Sequence, residues 1–372
     1  MKIILATALL TLATSAMAQK SEFCLKADIE DLSDDTVLVY KGRGVKMDTV
    51  LIKNNKFVYK TKLDAPVQYS FINPATYRGH QHRVVDLVCV PGEQAEIVGS
   101  AVDRYDITGS KYYKQYHEVD LFLEKVYKPY VEFRNDVTTQ VARGANRDEV
   151  MKKNSAKLED MMKKTHEEVI AFAAQHPDYE SCTTLVTNFS EVGDMEKLIA
   201  SLSEKVRNGR MKAYYQPIID HAKARVEQEE KAKKVQASGM EAPDFTLKDI
   251  NGKDLSLSSL RGKYVVLDFW GSWCIWCIKG MPKMKEYYEK YKGKFEILGV
   301  DCNDTEAKWK AAVEKHQLPL LHVYNPKGSD VLSKYAIQGF PTKIVVGPDG
   351  KIVKTIVGED PAFYTLLDDM LK

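Results

Sequence analysis

The stretch that most constrains this chain is Val265-Val-Leu-Asp-Phe-Trp-Gly-Ser-Trp-Cys-Ile-Trp-Cys277. An apolar run of β type ends at Phe269, Gly271-Ser272 makes a turn, and Cys274 opens a segment that reads as a helix. Two cysteines separated by two residues on a helix's first turn can close a small disulfide loop. The first of them meets unpaired backbone N–H groups and the positive end of the helix dipole, which favour a thiolate. Such a pair accepts or donates two electrons by thiol–disulfide exchange. Haem attachment would need a histidine after the second cysteine, where the chain has Ile278. A structural zinc site would need a second ligand pair, and no other Cys-x-x-Cys or suitably spaced His pair is present. A purely structural bridge is disfavoured, because so small a loop adds little chain-entropy stabilisation. The strand–turn–Cys-x-x-Cys–helix context therefore points to redox chemistry, with no metal and no cofactor.

These residues carry a family resemblance. Trp-x-x-Trp-Cys-x-x-Cys after an apolar strand resembles the thioredoxin superfamily. Ala242-Pro-Asp-Phe-Thr-Leu247, Asn251-Gly252 and Leu255-Ser-Leu-Ser-Ser-Leu-Arg-Gly-Lys263 are similar, more narrowly, to the TlpA/ResA type. Those are secreted or membrane-anchored bacterial thiol:disulfide oxidoreductases of the AhpC/TSA-like clan. Gly339-Phe-Pro-Thr342 is similar to the cis-proline loop that faces the active-site disulfide in that fold. The resemblance covers about the last third of the chain. It implies a C-terminal α/β thioredoxin-like fold, a central mixed sheet flanked by helices. It also implies protein clients carrying disulfides or dithiols, and a membrane or periplasmic electron donor.

Cys274, leading the helix, is expected to be the exposed nucleophile, and Cys277, one turn in, its shielded resolving partner. Asp268 lies six residues before Cys274, where thioredoxins carry a buried acid. A carboxylate in apolar surroundings has a raised pKa and can shuttle the resolving thiol's proton. Many TlpA/ResA-type domains have Asn there, so this chain departs toward the thioredoxin pattern. ResA-like members place a Glu three residues after the second cysteine; here Gly280 stands there, and that role is not carried over. Lys279 reads as a solvated lysine. Trp273, Trp276 and Phe340 are the candidate substrate-binding residues, with plain packing an equal alternative for the tryptophans. The resemblance makes the bond to Pro341 cis, and its loop would offer the Phe340 backbone to an incoming peptide. Ile275-Trp276, the pair between the cysteines, supplies no cation beyond the helix dipole. A moderate potential follows, nearer thioredoxin at about −270 mV than the oxidant DsbA at about −120 mV.

At 372 residues the chain suits two or three domains, and an apolar content of 44% allows a sizeable core. A formal charge of +2 gives no argument for a nucleic-acid partner. Met1-Lys2, the apolar run Ile3–Leu12 and Ala16-Met-Ala18 read as a signal peptide, residues 1–18, and imply a periplasmic protein with no transmembrane segment in the mature chain. Residues 19–110 alternate short β runs with turns, which suggests a small all-β sandwich. The strands read as 36–40, 49–52, 56–59, 67–72, 83–90 and 95–98. With Val90-Pro-Gly92 this rhythm resembles an N-terminal domain of unknown function that often precedes TlpA-like domains. Residues 111–236 turn helical, over 112–135, 147–175 and 195–206, with a charged helix end at Arg225–Lys234. The thioredoxin-like domain takes 237–372, its cysteine helix kinked or interrupted near Gly280 and Pro282.

Cys24 and Cys89 can form a bridge, though connectivity cannot be read from sequence, while Cys302 reads as a buried small hydrophobe. His80 and His82 read as solvated loop histidines, and His166-Glu167 lacks the second histidine of a zinc-protease motif because Ile170 stands there. Two rival readings stay open. One is a scaffold whose Cys-x-x-Cys is dormant or structural. The other is a peroxiredoxin-like peroxidase, which lacks its Pro and Thr/Ser where the chain has Leu267 and Gly271. Residues 19–236 would hold a client or a second copy of the chain near the redox face, raising effective concentration.

Overall fold

The computed structural model describes residues 21–32, 34–74 and 84–372. The leader at 1–18, His80, His82 and the Arg83 start of one expected strand lie outside the described residues. The chain divides into two compact units, one ending at Lys223 and one running from Ala224 to Lys372.

The first unit opens with eight strands: β1 (Ser21–Glu30), β2 (Thr36–Tyr40), β3 (Asp48–Leu51), β4 (Lys56–Leu63), β5 (Val67–Ile72), β6 (Val84–Cys89), β7 (Gln94–Ser100) and β8 (Tyr105–Gly109). They form two four-stranded sheets, in the orders β4-β1-β7-β8 and β3-β2-β5-β6. Alternation builds the core, since residues at i and i+2 share a face. On β1, Phe23, Leu25, Ala27 and Ile29 are buried, and they share one apolar cluster with Val37 and Val39 of β2 and Phe71 of β5. The strand β1 escapes the sequence reading because charged outward residues, such as Lys26, Asp28 and Glu30, leave it no continuous apolar run, and β8 because it fully buries only Ile107. Helices α1 (Lys111–Ala142), α2 (Arg147–Gln175), α3 (Val192–Ser201) and α4 (Glu204–Arg207) follow, and α5 (Lys212–Val235) runs through the division at Lys223. The single helix expected over 195–206 is two, divided at Leu202 and restarted by Ser203, whose side chain accepts from the Val206 N–H.

The second unit is a seven-stranded mixed sheet in the order β10-β9-β13-β12-β11-β14-β15. Its strands are β9 (Thr246–Asp249), β10 (Asp254–Ser256), β11 (Tyr264–Trp270), β12 (Phe295–Asp301), β13 (Leu321–Tyr324), β14 (Thr342–Val346) and β15 (Ile352–Val357). Helices α6 (Ile275–Lys290), α7 (Glu306–Lys315), α8 (Val331–Lys334) and α9 (Ala362–Leu371) accompany them. Strand β11 is central, parallel to β12 and antiparallel to β14. Its odd residues Val265, Leu267 and Phe269 enter one core with Leu298 and Ile344. On the opposite side, Val266 packs with Met284 of α6 and Phe363 of α9.

Two expectations are corrected here. Helix α6 runs unbroken through Gly280 and Pro282. Burial of Met281, Met284 and Tyr287 on its inner face offsets the hydrogen bond that Pro282 cannot donate. Strand β13 is absent from the sequence reading, because it is short and holds the polar but buried His322. Among the described residues, no helix is long and apolar enough to cross a membrane.

Candidate active site

The turn after β11 is held from two sides. The Ser272 N–H and hydroxyl donate to the two carboxylate oxygens of Asp304, at 2.6 and 2.7 Å. The Trp273 indole N–H donates to the Cys302 carbonyl at 2.9 Å. Gly271 is required between them, since a Cβ there would lie 2.5 Å from the Trp273 indole nitrogen and 2.8 Å from that carbonyl oxygen. This fixes the start of α6, where Cys274 is the N-cap residue and is disulfide-bonded to Cys277. The Cys277 N–H donates to the Cys274 sulfur at 3.1 Å. After reduction the same amide, with the helix dipole behind it, stabilises a thiolate on Cys274.

The expected exposure of Cys274 is corrected: both cysteines are only 5% exposed. They share an apolar cluster with Trp270, Met281 and Trp309, and Phe340 packs against it. Leading a helix decides which backbone donors a residue meets, not how much water reaches it. The exposed side chains are instead Trp273, Ile275 and Trp276, each more than half exposed. The Phe340–Pro341 peptide bond is cis, and the Phe340 ring meets Trp273 edge-on at 5.3 Å between centroids. Lys279 is exposed, as its sequence context suggests, with its ammonium over the exposed Trp276 ring at 4.6 Å. The structure thus brings Trp273 and Phe340 together beside the disulfide, leaves Trp276 on the rim, and buries Trp270 in the core.

Asp268 lies behind the disulfide. Parity on β11 puts it on the face of Val266 and Trp270, and its side chain is 15% exposed. Its Oδ1 is buried and makes no hydrogen bond. Cross-strand register sets Lys343 of β14 directly beside it, the ammonium 4.0 Å from that oxygen. Lys343 is itself buried and donates instead to Glu359 Oε1 at 2.5 Å. Burial pushes the Asp268 carboxyl above the usual carboxylate range; the Lys343 cation opposes this and the Glu359 charge adds to it. Asp268, Cys277, Gly280, His322 and Glu359 line one narrow pocket. Burial holds His322 down to about 4, so it is neutral at physiological pH.

Lys343 and Glu359 escape the sequence reading. Their signal is a lysine inside the apolar run Thr342–Val346 and an acid just after the last strand. Neither identifies a partner until the strands are paired. Cys24, Cys89, Cys182 and Cys302 are free thiols, and Cys24 and Cys89 belong to different sheets. Burial raises the Cys302 thiol well above its ordinary value, as suits a packed small hydrophobe. Among the described residues no cluster of His, Cys, Asp or Glu could hold a metal ion.

A disulfide at the head of a helix, set after the central strand of a mixed sheet beside a cis-proline loop, defines the thioredoxin-like class of redox domains. The AhpC/TSA family model matches residues 238–355, and a domain of unknown function, DUF4369, matches 23–116. The thiol-disulfide oxidoreductase ResA of a Bacillus cereus strain is 42% identical over 122 residues, 32% of this chain and 70% of that protein. ResA of Bacillus subtilis (strain 168) is 34% identical over 123 residues, 33% of this chain and 68% of that one. The crystal structure of the thioredoxin domain of a Bacteroides vulgatus thiol-disulfide oxidoreductase is 36% identical, with a TM-score of 0.35, covering 37% of this chain and 99% of that one. The chain belongs to the ResA-type family of thiol-disulfide oxidoreductases.

Proposed function

We propose that this oxidoreductase works in the periplasm and reduces disulfides of protein clients through Cys274 and Cys277. The Cys277 amide aimed at the Cys274 sulfur carries this reading, because it favours a thiolate at the first cysteine. The Cys274 thiolate attacks a client disulfide; one client sulfur bonds to Cys274 and the other leaves as a thiolate that takes up a proton. Cys277 then gives its proton to Asp268 and attacks the Cys274 sulfur. The internal disulfide forms and the second client thiol is released. A membrane or periplasmic dithiol returns the pair to the reduced state. Trp273, Trp276 and the Phe340 backbone beside Pro341 form the client-facing rim, and their exposure and ring contact support it. The apolar leader at 1–18 supports export.

The equilibrium of the pair against glutathione tests the direction of transfer. We expect a potential near −270 mV, since Ile275-Trp276 brings no cation between the cysteines. A value near −120 mV would make the protein an oxidant.

Residues 19–236 serve, in this proposal, to hold a client or a second copy near the redox domain. The fragment for testing this should start at Ala224, where the second unit begins. Starting at 237 would remove Gln236, whose side-chain amide donates to the Tyr335 and Ala336 carbonyls at 2.6 and 3.3 Å. Fragment 224–372 is expected to unfold cooperatively and keep full turnover of small model disulfides. It should lose rate toward a protein client, or lose self-association in sedimentation. A fragment that matches the full chain on both would end the platform role.

A further inference from the structure

Lys343 carries one positive charge and has two acids in reach. Glu359 takes the hydrogen bond at 2.5 Å, and Asp268 stays at 4.0 Å with its Oδ1 unbonded. Glu359 follows β15 and is far from Asp268 in sequence, yet its carboxyl lies directly over Gly280 of α6. A Cβ on Gly280 would overlap that carboxyl group, so the bare backbone at 280 is what lets the acid reach Lys343. The side chains of Lys343 and Glu359 are 2% and 19% exposed, so water weakens their pairing little.

We propose that Glu359 is a positioning residue for the resolving step: from its place over Gly280 its carboxyl takes the Lys343 hydrogen bond, which leaves the Asp268 Oδ1 without one and able to exchange a proton with Cys277. This rests on the reading of Asp268 as the resolving thiol's base. The groups facing Asp268 are Lys343 of β14, Glu359 beyond β15, Cys277 of α6, His322 of β13, Cys302 of β12 and Tyr364 of α9. Burial keeps His322 neutral and holds the Cys302 thiol and the Tyr364 hydroxyl protonated. Lys343 and Glu359 are thus the charges that bear on it. In the step itself the proton moves from the Cys277 thiol to the Asp268 carboxylate. The Cys277 sulfur then bonds to the Cys274 sulfur, and the Cys274–client bond breaks with its electron pair on the departing thiolate. Were Glu359 neutral, Lys343 would turn to Asp268, and a carboxylate paired with that cation is a weaker base.

The test follows reduced protein mixed with 5,5′-dithiobis(2-nitrobenzoate) by stopped flow, reading the second thionitrobenzoate released, which reports resolution. In the wild type that rate should rise with pH along a limb set by Asp268. In E359Q the limb should move to lower pH by about one unit or more, with a several-fold lower plateau. G280A changes no charge but evicts the Glu359 carboxyl, so it should shift the limb the same way. In an E359A background, G280A should then add no further shift. A limb unmoved in E359Q, or a G280A effect of equal size with and without Glu359, would overturn the proposal. D268N separates the two readings: a limb that survives in D268N refutes the base role of Asp268 itself. A limb lost in D268N yet unmoved in E359Q refutes only the role of Glu359. Should E359Q fail to fold, G280A carries the same comparison, and failure of both to fold would assign Glu359 to stability alone and also overturn the proposal.

Discussion

Cys274→Ser is expected to abolish reduction of insulin-type disulfides, with a loss on the order of 10³-fold or more, because the attacking sulfur is gone and no resolution can follow. Cys277→Ser should differ in kind. Its Cys274 thiolate is still favoured by the head of α6, so attack on a client proceeds and the mixed disulfide persists. Non-reducing gels of the Cys277→Ser protein incubated with a periplasmic extract should show reductant-sensitive adducts that a Cys274→Ser/Cys277→Ser protein lacks. The burial of both sulfurs sharpens this expectation. Only clients able to seat an extended segment beside Trp273 and Phe340 should be captured, so adducts should be few. Wild-type activity in Cys274→Ser would instead favour a scaffold with a structural bridge.

Asp268→Asn is expected to act on both rate and stability. Burial raises the proton affinity of this carboxyl in the folded chain. Between the ordinary carboxylate pKa of about 3.9 and the raised folded value, the folded chain keeps a proton that the unfolded chain has released. Wild-type stability therefore falls as pH rises through that window, by about 1.4 kcal/mol for each pH unit it spans, and stays lower above it. Asparagine does not ionise. The variant should match the wild type in acid and become the more stable protein toward neutral pH, with the gap opening across the window. Thermal melts at a series of pH values would read this directly, and a gap independent of pH would show that Asp268 is not the titrating group. Resolution should slow most near neutral pH, where the carboxyl can still exchange a proton. A pH–rate profile unchanged by the substitution would remove Asp268 from the mechanism.

The parts of this protein legible in its sequence are those encoded over short separations. The strand, the Gly271-Ser272 turn and two cysteines at the head of a helix occupy Tyr264–Cys277, so local periodicity and turn chemistry suffice to place them. The alternating strands of the first unit are legible for the same reason, and β1 and β8 are lost because outward charges leave β1 no continuous apolar run and β8 fully buries only Ile107. Pairing is different. Lys343 stands beside Asp268 only because β14 lies antiparallel to β11 in one register, and a slip of one residue would turn it to the other face. Glu359 reaches Lys343 only because Gly280, on a separate helix, leaves the space. The burial of Cys274 likewise depends on Trp309 and Phe340, which arrive from distant elements. The sequence alone therefore determined the redox pair and the strand and helix that carry it. Tertiary structure alone decided which charges surround that pair and how much water reaches it, because proton affinity and solvent access depend on neighbours in space that spacing along the chain does not specify.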